Sequence, residues 1–481
     1  MIDRKTIADE YPKQQHVEDS FLLVLDSASS PASWVAELKE QAIPALSRDI
    51  HYAQISIGLK DGKRPYAVVS WKRNDRHALE KRWILSQFYR TLRQQWKTSR
   101  LNILLTNPTS QDTALAEDAY LCSMRANDEG NEWIQVTILQ TKTSESTDPF
   151  AKIRFEAVQG YRRWINENPD ELTSIEIGRR LKAFAEANGC GFVELGLDEL
   201  KKEKMNLLLA VGQGSQKSPA RCYYLTHKLT PGKKPVMLLG KGITFDTGGI
   251  NVKAFESFVN AMKNDMGGAA LMSHLFMALV KSGYSEPLVL AIPSCENLVD
   301  ANSMKPGSLI QSRKGPKVFI EHTDAEGRLI LVDALSYGED TYAPSVTLTA
   351  ATLTTASLRQ FTNYFTAVHF APEKFQASLH ESGKLWGERF SCWEDFLPFQ
   401  SGNKSKFGDL TNMGRLPSHA SMGGGSNVAA HFLREFATGP IIHFDIFASC
   451  WNWSGDYPGA PNGATGAPFN SLFETLRKGI N

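Results

Sequence analysis

The 481-residue sequence predicts an α/β protein with a small N-terminal α/β domain and a larger C-terminal α/β domain built on a mostly parallel central sheet. Three observations favour this fold class. The chain is too long for one ordinary hydrophobic core. Short apolar runs alternate with helical patterns along it. In the second part these runs are continuous, which is typical of strands buried on both faces of a parallel sheet.

The first part of the chain, residues 1–150, is predicted to form the small domain. Short apolar runs alternate there with helical stretches, and the runs lie at 21–25, 66–70, 101–105 and 133–139. The stretch 140–152 is polar and rich in Ser and Thr, which predicts a linker running into a helix over 155–167. We therefore place a linker and connecting helix at 151–172 and the larger domain at 173–481.

In the larger domain the strand and helix patterns are clearer. Continuous apolar runs at 235–239, 287–292 and 346–353 predict buried strands. A helix is predicted over 266–280, since its apolar residues recur on one stripe, and Gly283 is a plausible end for it. A second helix is predicted over 327–338.

Composition argues against several classes of protein. Hydrophobic residues make up 42% of the chain and charged residues 22%, and the formal net charge is +1. This near-neutral balance gives no global attraction to nucleic acid or to an anionic membrane. The six cysteines are scattered, so we expect reduced thiols. The first twenty residues lack an apolar segment, and no run approaches the roughly 18 to 20 apolar residues of a membrane span, so the sequence predicts a cytoplasmic location.

The first candidate site segment is GKGITFDTGGINVK at 240–253, with its continuation to Gly268. It places Lys241, Asp246, Lys253 and Asp265 around glycine-rich turns. Glycine allows the backbone to approach a ligand closely. A carboxylate in the apolar context of Asp246 needs a compensating group. Lysine–aspartate salt bridges within a loop are the alternative, and these residues alone favour it.

The second candidate segment is HTDAEGRLILVDAL at 322–335. Asp324 and Glu326 are separated by one residue at the entry to the predicted helix, and Arg328 follows them. The alternative is ordinary helix chemistry, since acidic residues are favoured at helix N-termini. Both segments follow apolar strands, and ligand sites in open α/β sheets form beyond the carboxyl ends of strands.

Together the two segments supply four carboxylates and two lysines. Carboxylate-rich sites suit divalent cations and can bridge a pair of them. We interpret His322 as a supporting residue rather than a ligand. The sequence has no HExxH, no GxSxG and no phosphate-binding loop, which disfavours the enzyme classes that these motifs define.

At these residues the chain resembles the leucyl aminopeptidase (M17) family. HTDAEGRL is similar to the NTDAEGRL signature of that family and differs only at His322. The resemblance covers roughly residues 160–481. Further similar segments are GKGITFDTGG, LAVGQGS at 209–215, MKNDMGGAA at 262–270, ATLT at 351–354 and GATGAP at 463–468.

The resemblance implies two adjacent metal ions, zinc or manganese. Asp246 and Glu326 would bridge both ions, Lys241 and Asp265 would complete the tighter site, and Asp324 would complete the more exchangeable one. The other implied roles are carbonyl polarisation by Lys253, bicarbonate binding by Arg328, and contact with the first substrate residue by Met262, Thr352 and Leu353. Core packing is the alternative for Met262 and is nearly as well supported by the sequence.

The implied function is that of a metal-dependent aminopeptidase, with leucine-like N-terminal residues preferred and a homohexameric assembly. A dipeptidase, such as one acting on cysteinylglycine, is a close alternative. A DNA-binding regulatory role is less favoured, because the basic and aromatic stretch 72–100 also fits a solvated amphipathic helix. A catalytically inactive scaffold is a third alternative, and the full ligand set disfavours it.

Three departures from the family pattern stand out. The spacing from Lys253 to Asp265 is one residue longer, which puts Asn264 where the shorter spacing would place the aspartate. The surrounding sequence favours Asp265. Thr355 replaces a glycine, and the segment 415–426 differs from the usual sequence, so both are expected to affect specificity.

Overall fold

A computed structural model describes residues 149–254, 257–414, 425–453, 457 and 463–479, together with seven strands of the N-terminal region. The chain divides into two compact units. Met1–Lys152 form most of the smaller unit, and the larger contains Ile153–Gly383, Glu388–Ser454 and Gly463–Asn481. The division into a small domain at 1–150, a linker and connecting helix at 151–172 and a larger domain at 173–481 stays a prediction.

The smaller unit contains a seven-stranded sheet. The strands are β1 (Ile2–Thr6), β2 (Ser20–Asp26), β3 (Arg48–Ile50), β4 (Ala53–Lys60), β5 (Arg64–Trp71), β6 (Arg100–Thr106) and β7 (Gln135–Gln140). Their order is β1-β7-β6-β2-β5-β4-β3. The pairings from β1 through β7, β6 and β2 to β5 are parallel, and β4 pairs antiparallel with both β5 and β3. Three of the four apolar runs predicted in this region lie entirely on strands, and residues 135–139 of the fourth lie on β7.

The larger unit is built on a nine-stranded sheet. The strands are β8 (Gly191–Leu195), β9 (Arg221–His227), β10 (Val236–Gly240), β11 (Gly242–Asp246), β12 (Leu288–Asn297), β15 (Val346–Ala351), β16 (Phe365–His369), β17 (Arg389–Trp393) and β19 (Ile441–Asp445). The order is β17-β16-β19-β15-β10-β12-β9-β8, and β11 pairs with β12. The centre from β19 to β12 is parallel. Short strands β13 (Leu309–Gln311), β14 (Lys317–Phe319) and β18 (Leu410–Thr411) form a separate small sheet.

Eleven helices lie within the described residues. They are α1 (Ala151–Asn166), α2 (Ser174–Asn188), α3 (Leu197–Lys202), α4 (Asn206–Gly212), α5 (Gly267–Lys281), α6 (Gly327–Tyr342), α7 (Thr355–Phe361), α8 (Glu373–Trp386), α9 (Leu397–Ser401), α10 (Gly425–Phe436) and α11 (Phe469–Lys478). Two 3₁₀ segments occupy Val259–Met266 and Thr362–Tyr364. None of these helices combines the length and the apolar character that crossing a membrane requires.

The predicted mixed α/β class with a mostly parallel sheet is confirmed. Every residue of β10 and β12 is buried, which explains why these strands read as continuous apolar runs. Met237 and Leu239 lie on one face of β10, in the same core cluster as Leu329 and Leu335 of α6. Helix α5 also packs against β10.

Several boundaries differ from the predicted ones. The strand predicted over 287–292 extends to Asn297. The strand predicted over 346–353 ends at Ala351. The carbonyl oxygen of Thr352 accepts a hydrogen bond from Lys241, and the backbone N–H of Leu353 donates to Asp445. Helix α6 continues past 338 to Tyr342 and ends where Ala343 takes a left-handed conformation. Helix α1 begins at Ala151 rather than at 155.

Several sequence-based expectations lie outside the described residues. They concern residues 72–99 of the basic stretch, residues 141–148 of the linker and residues 415–424 of the unusual loop.

Candidate metal centre

The carboxyl ends of strands β10, β11 and β15, which belong to one sheet, bring several of the candidate residues together. Asp246 is the last residue of β11, Lys241 follows β10, and Thr352 follows β15. The carboxyl ends of parallel strands meet at one edge of a sheet, which is where ligand sites form. Residues far apart in sequence therefore share a small buried volume.

Three carboxylates form the centre of the site, which we call the acidic cluster. Asp246, Asp265 and Glu326 are buried, and each offers a carboxylate oxygen within 4.8 Å of the others. The residues come from β11, from the 3₁₀ segment Val259–Met266 and from the start of α6. Negatively charged carboxylate oxygens this close together repel one another unless positive charge is present. The cluster therefore needs cations.

Lys241 supplies one positive charge to the cluster. Its Nζ lies 2.7 Å from Asp265 Oδ2 and 2.8 Å from Glu326 Oε1, and its side chain is only 3% exposed. Nζ also donates a hydrogen bond to the carbonyl oxygen of Thr352 at 3.0 Å. Burial by itself lowers the pKa of Lys241, but the nearby carboxylates outweigh burial and raise it.

Lys253 neutralises the other side of the cluster. Its Nζ lies 2.8 Å from Asp246 Oδ2 and also contacts Asp324 Oδ1. Asp324 has 27% of its side chain exposed, against 2–3% for the carboxylates around Lys241. The sequence-predicted ligands therefore come together as a buried group, with Asp324 as a more exposed carboxylate beside Lys253.

The electrostatics show an excess of acidic groups. Burial raises the pKa of Asp265 well above its ordinary value, and burial together with repulsion from Asp246 and Glu326 raises the pKa of Asp324 to about 7. Burial also opposes ionisation of Glu326, but the two lysines outweigh it and lower its pKa to about 2. Two lysines do not satisfy four carboxylates, so added divalent cations would stabilise the ionised set.

Arg328 lies on the first turn of α6 and is buried. Burial lowers the pKa of its guanidinium group to about 10, although Glu326 and Asp445 oppose this shift. Among the residues that the structure describes, its Nε has no hydrogen-bond partner. A buried cationic group with a free donor fits a small anion.

The longer spacing before Asp265 left two candidate ligands, Asn264 and Asp265, and the structure places their side chains differently. Asp265 Oδ1 accepts a hydrogen bond from Thr352 Oγ1 at 2.8 Å, in addition to its contacts with Lys241. The neighbouring Asn264 is fully buried, and neither polar atom of its side chain has a partner within the described part of the chain. Asp265 faces the acidic cluster, and the side chain of Asn264 forms no hydrogen bond with it in the described part of the chain.

The three residues expected to line a substrate pocket occupy different positions. Met262 is buried on the 3₁₀ segment, one turn before Asp265. Thr352 contacts Asp265 directly, so its hydroxyl belongs to the acidic cluster. Leu353 is partly buried against the core, and its backbone N–H points to Asp445.

Sequence reasoning missed two asparagines that support the acidic cluster through hydrogen bonds. Asn297 at the end of β12 donates from Nδ2 to Asp246 Oδ1 at 2.8 Å. Asn412 donates from Nδ2 to the carbonyl oxygen of His322 at 2.7 Å, and His322 Nδ1 accepts from the backbone N–H of Asp324. The position of Asn297 at a strand end was a usable signal, but nothing local marks Asn412.

Two glycines allow the close packing of these segments. A Cβ atom at Gly327 would lie 2.4 Å from Lys241 Cε, so only glycine leaves room for the lysine beside α6. Gly248 has a φ of +90°, and its N–H donates to Asp246 Oδ1 at 2.8 Å. The close packing therefore explains why glycine occupies these two positions, one in each signature segment.

Comparison with known proteins identifies the family of the chain. A family model described as the cytosol aminopeptidase family, catalytic domain, matches residues 159–473. The chain belongs to this family. A probable cytosol aminopeptidase of Albidiferax ferrireducens is 32% identical over 373 residues, covering 76% of this chain and 74% of that protein. Family membership supports a peptidase, and the recognition made from the two signature segments is confirmed.

Solved structures of family-like proteins share the fold. The cytosol aminopeptidase of Coxiella burnetii aligns with a TM-score of 0.78 at 21% identity, covering 99% of each chain. The bottromycin maturation enzyme BotP in complex with Mn aligns with a TM-score of 0.78 at 24% identity, covering 97% of this chain and 100% of that one. At these identities the likeness concerns the fold.

Proposed function

We propose that the protein is an aminopeptidase that releases N-terminal residues from peptides and binds two divalent cations in its acidic cluster. The observation that carries this proposal is the set of three buried carboxylates whose oxygens lie within 4.8 Å of one another. Membership of the cytosol aminopeptidase family supports the peptidase activity.

The donor set fits a metal pair. Asp246 and Glu326 would contact both cations, Asp265 and Lys241 would complete the more buried position, and Asp324 the more exposed one. Burial, together with repulsion from Asp246 and Glu326, raises the pKa of Asp265 although Lys241 and Lys253 oppose this shift. When bound, the two cations supply Lewis-acid chemistry that activates water and polarises a carbonyl group near neutral pH. Zinc and manganese both accept these oxygen ligands.

The lysines have different proposed roles. A lysine binds a metal only as a neutral amine, so Lys241 would have to lose one proton of its ammonium group. In this structure the ammonium group contacts Asp265 and Glu326. Lys253 would stay charged, since its pKa is raised by Asp246 and Asp324 despite burial. Its ammonium group would donate a hydrogen bond to the carbonyl oxygen on which negative charge develops.

Arg328 is proposed to bind a small anion. Its buried guanidinium group carries an N–H donor without a partner among the described residues. A bicarbonate ion held there would supply general-base chemistry. The arginine itself orients the anion and keeps it charged.

Substrate preference is proposed from the residues near the cluster. Met262, Thr352 and Leu353 would surround the first substrate residue, and the flexible thioether of Met262 suits an apolar, leucine-like side chain. A homohexameric assembly and a cytoplasmic location belong to the same proposal through the family resemblance.

The decisive assay is hydrolysis of leucine and other aminoacyl p-nitroanilides by metal-stripped protein, with Mn²⁺, Zn²⁺, Co²⁺ or Mg²⁺ added back. We expect activity only with restored metal. Acetyl-leucine p-nitroanilide is the matched substrate without a free α-amine, and we expect it to be resistant. Full activity after chelation would contradict the metal centre. Cleavage of dipeptides alone would indicate a dipeptidase.

A further inference from the structure

Asp445 is a fully buried carboxylate outside the acidic cluster. It is the last residue of β19 and lies opposite Ala351, the last residue of β15. The backbone N–H of Ile446 donates to the carbonyl oxygen of Ala351 at 2.9 Å, which continues the pairing one residue further. Asp445 therefore lies beside the loop that follows β15.

The carboxylate of Asp445 accepts hydrogen bonds from five donors. Oδ2 accepts from Thr354 Oγ1 at 2.6 Å and from Ser426 Oγ at 2.9 Å. Oδ1 accepts from the backbone N–H groups of Leu353 at 3.3 Å, Thr354 at 3.4 Å and Phe447 at 3.3 Å. Three of the five donors belong to residues 353–354, so the carboxylate holds this short loop in one conformation.

The residue just before these donors faces the acidic cluster. Thr352 Oγ1 donates to Asp265 Oδ1 at 2.8 Å, and the carbonyl oxygen of Thr352 accepts from Lys241 Nζ at 3.0 Å. The loop 352–354 is therefore held by Asp445 at one end and contacts two candidate metal ligands at the other.

The support for Asp445 extends to a further element. Ser426 lies on the first turn of α10, and its hydroxyl group donates to Asp445. His369 Nε2 lies 3.0 Å from Ser426 Oγ. Because the hydroxyl hydrogen points to Asp445, His369 donates from Nε2 to the serine oxygen. Asp445 therefore connects the loop after β15 to α10 and, through His369, to β16.

We propose that Asp445 is a positioning residue, which sets the orientation of Thr352 and thereby the affinity of the acidic cluster for divalent metal. It acts through the 352–354 loop and touches neither Asp265 nor Lys241 itself. Residues that orient metal ligands from behind typically contribute about 10- to 100-fold in metal affinity or activity. The inference rests on the proposed metal binding, and metal affinity rather than peptidase activity is its readout.

A matched pair of variants separates positioning from general support of the fold. Asp333 is also a buried carboxylate; it accepts from the backbone N–H groups of Leu207 at 2.8 Å, Leu208 at 3.2 Å and Arg313 at 3.0 Å. None of these three partners belongs to the acidic cluster. Asp445→Asn and Asp333→Asn each remove one acceptor oxygen, so both are expected to lower the melting temperature.

The measurement is calorimetric titration of each metal-stripped protein with Mn²⁺, well below the melting temperatures. We expect Asp445→Asn to weaken Mn²⁺ binding about 10- to 100-fold and Asp333→Asn to change it less than about twofold. Thr354→Val removes a single donor to Asp445 and keeps the test available if Asp445→Asn does not fold. For that variant we expect a loss of about fivefold.

A double-mutant cycle tests the route through Thr352. If Asp445 acts through Thr352, then Asp445→Asn combined with Thr352→Val weakens Mn²⁺ binding by less than the product of the two single losses. Fully multiplicative losses, or wild-type affinity in Asp445→Asn, would overturn the proposal. Wild-type protein that does not bind Mn²⁺ would overturn it as well. Wild-type protein that binds Mn²⁺ without cleaving peptides would overturn only the proposed peptidase function.

Discussion

The ammonium group of Lys241 lies 2.8 Å from Asp265 Oδ1 and 2.7 Å from Oδ2, although the two residues are 24 positions apart in sequence. This contact distinguishes Asp265 from Asn264, whose buried side chain has no polar partner in the described part of the chain. The proposed ligand set therefore depends on one register in the Val259–Met266 segment.

Alanine substitution of the two neighbours tests this register. Asp265→Ala is expected to reduce peptidase activity at least about 100-fold and to weaken metal binding, because it removes a buried anionic donor. Asn264→Ala is the control and is expected to stay within about threefold of the wild-type rate, since it removes no observed hydrogen bond. The measurements are kcat, KM and bound metal per chain. The opposite ranking of the two variants would show that Asn264 rather than Asp265 faces the cations.

Lys253→Met is expected to separate catalysis from metal binding. The proposed role of Lys253 is to stabilise developing charge on the substrate, so kcat should fall about 100- to 1,000-fold. Metal affinity should be retained or increased, because the ammonium group otherwise competes for Asp246 and Asp324. Steady-state kinetics and Mn²⁺ titration of one preparation measure both quantities. A variant that loses its metal together with its activity would identify Lys253 as a structural part of the centre.

Removal of metal is expected to lower thermal stability. Repulsion within the buried carboxylate cluster is relieved when cations bind, and a ligand that binds only the folded state stabilises it by about 4 kcal/mol at 1,000 times its dissociation constant. The melting temperature of stripped protein should rise with Mn²⁺ concentration. Asp265→Ala provides the control and should respond less. Equal responses of the two proteins would place the stabilising ions elsewhere.

His274 is expected to make the fold sensitive to acid. The side chain is buried in α5, and burial lowers its pKa to about 4. An unfolded chain, with a histidine pKa near 6.5, binds more protons than the folded one between these values. Stability is therefore present above about pH 6.5 and is lost as the pH falls toward 4. Between pH 7 and pH 5 the loss from this group is about 2 kcal/mol.

A matched pair of histidines isolates this effect. His274 Nδ1 and His380 Nδ1 each lie 2.8 Å from the carbonyl oxygen four residues earlier, but His274 is buried and His380 is exposed. His274→Gln should flatten the change in urea midpoint between pH 7 and pH 5, and His380→Gln should leave it unchanged. Identical pH profiles for wild type and His274→Gln would contradict a neutral buried His274.

Much of the fold was readable from local pattern. Strands buried on both faces need continuous apolar residues, so β10, β12 and β15 could be predicted near their observed positions. The helix over Gly267–Lys281 was predicted almost to its ends, because its apolar stripe and Gly283 are local features. Strand order was not predictable, since pairing depends on packing between distant segments.

The candidate site divides in the same way. The sequence by itself determined its chemistry, because four carboxylates and two lysines occur in two short segments that follow strands. Only the tertiary structure decided that Asp265 meets Thr352, 87 residues away, and that Asp445 holds Thr354, 91 residues away. Such contacts arise from the neighbouring positions of β10, β15 and β19 in the sheet, and the periodicity of a single segment carries no information about which strands become neighbours.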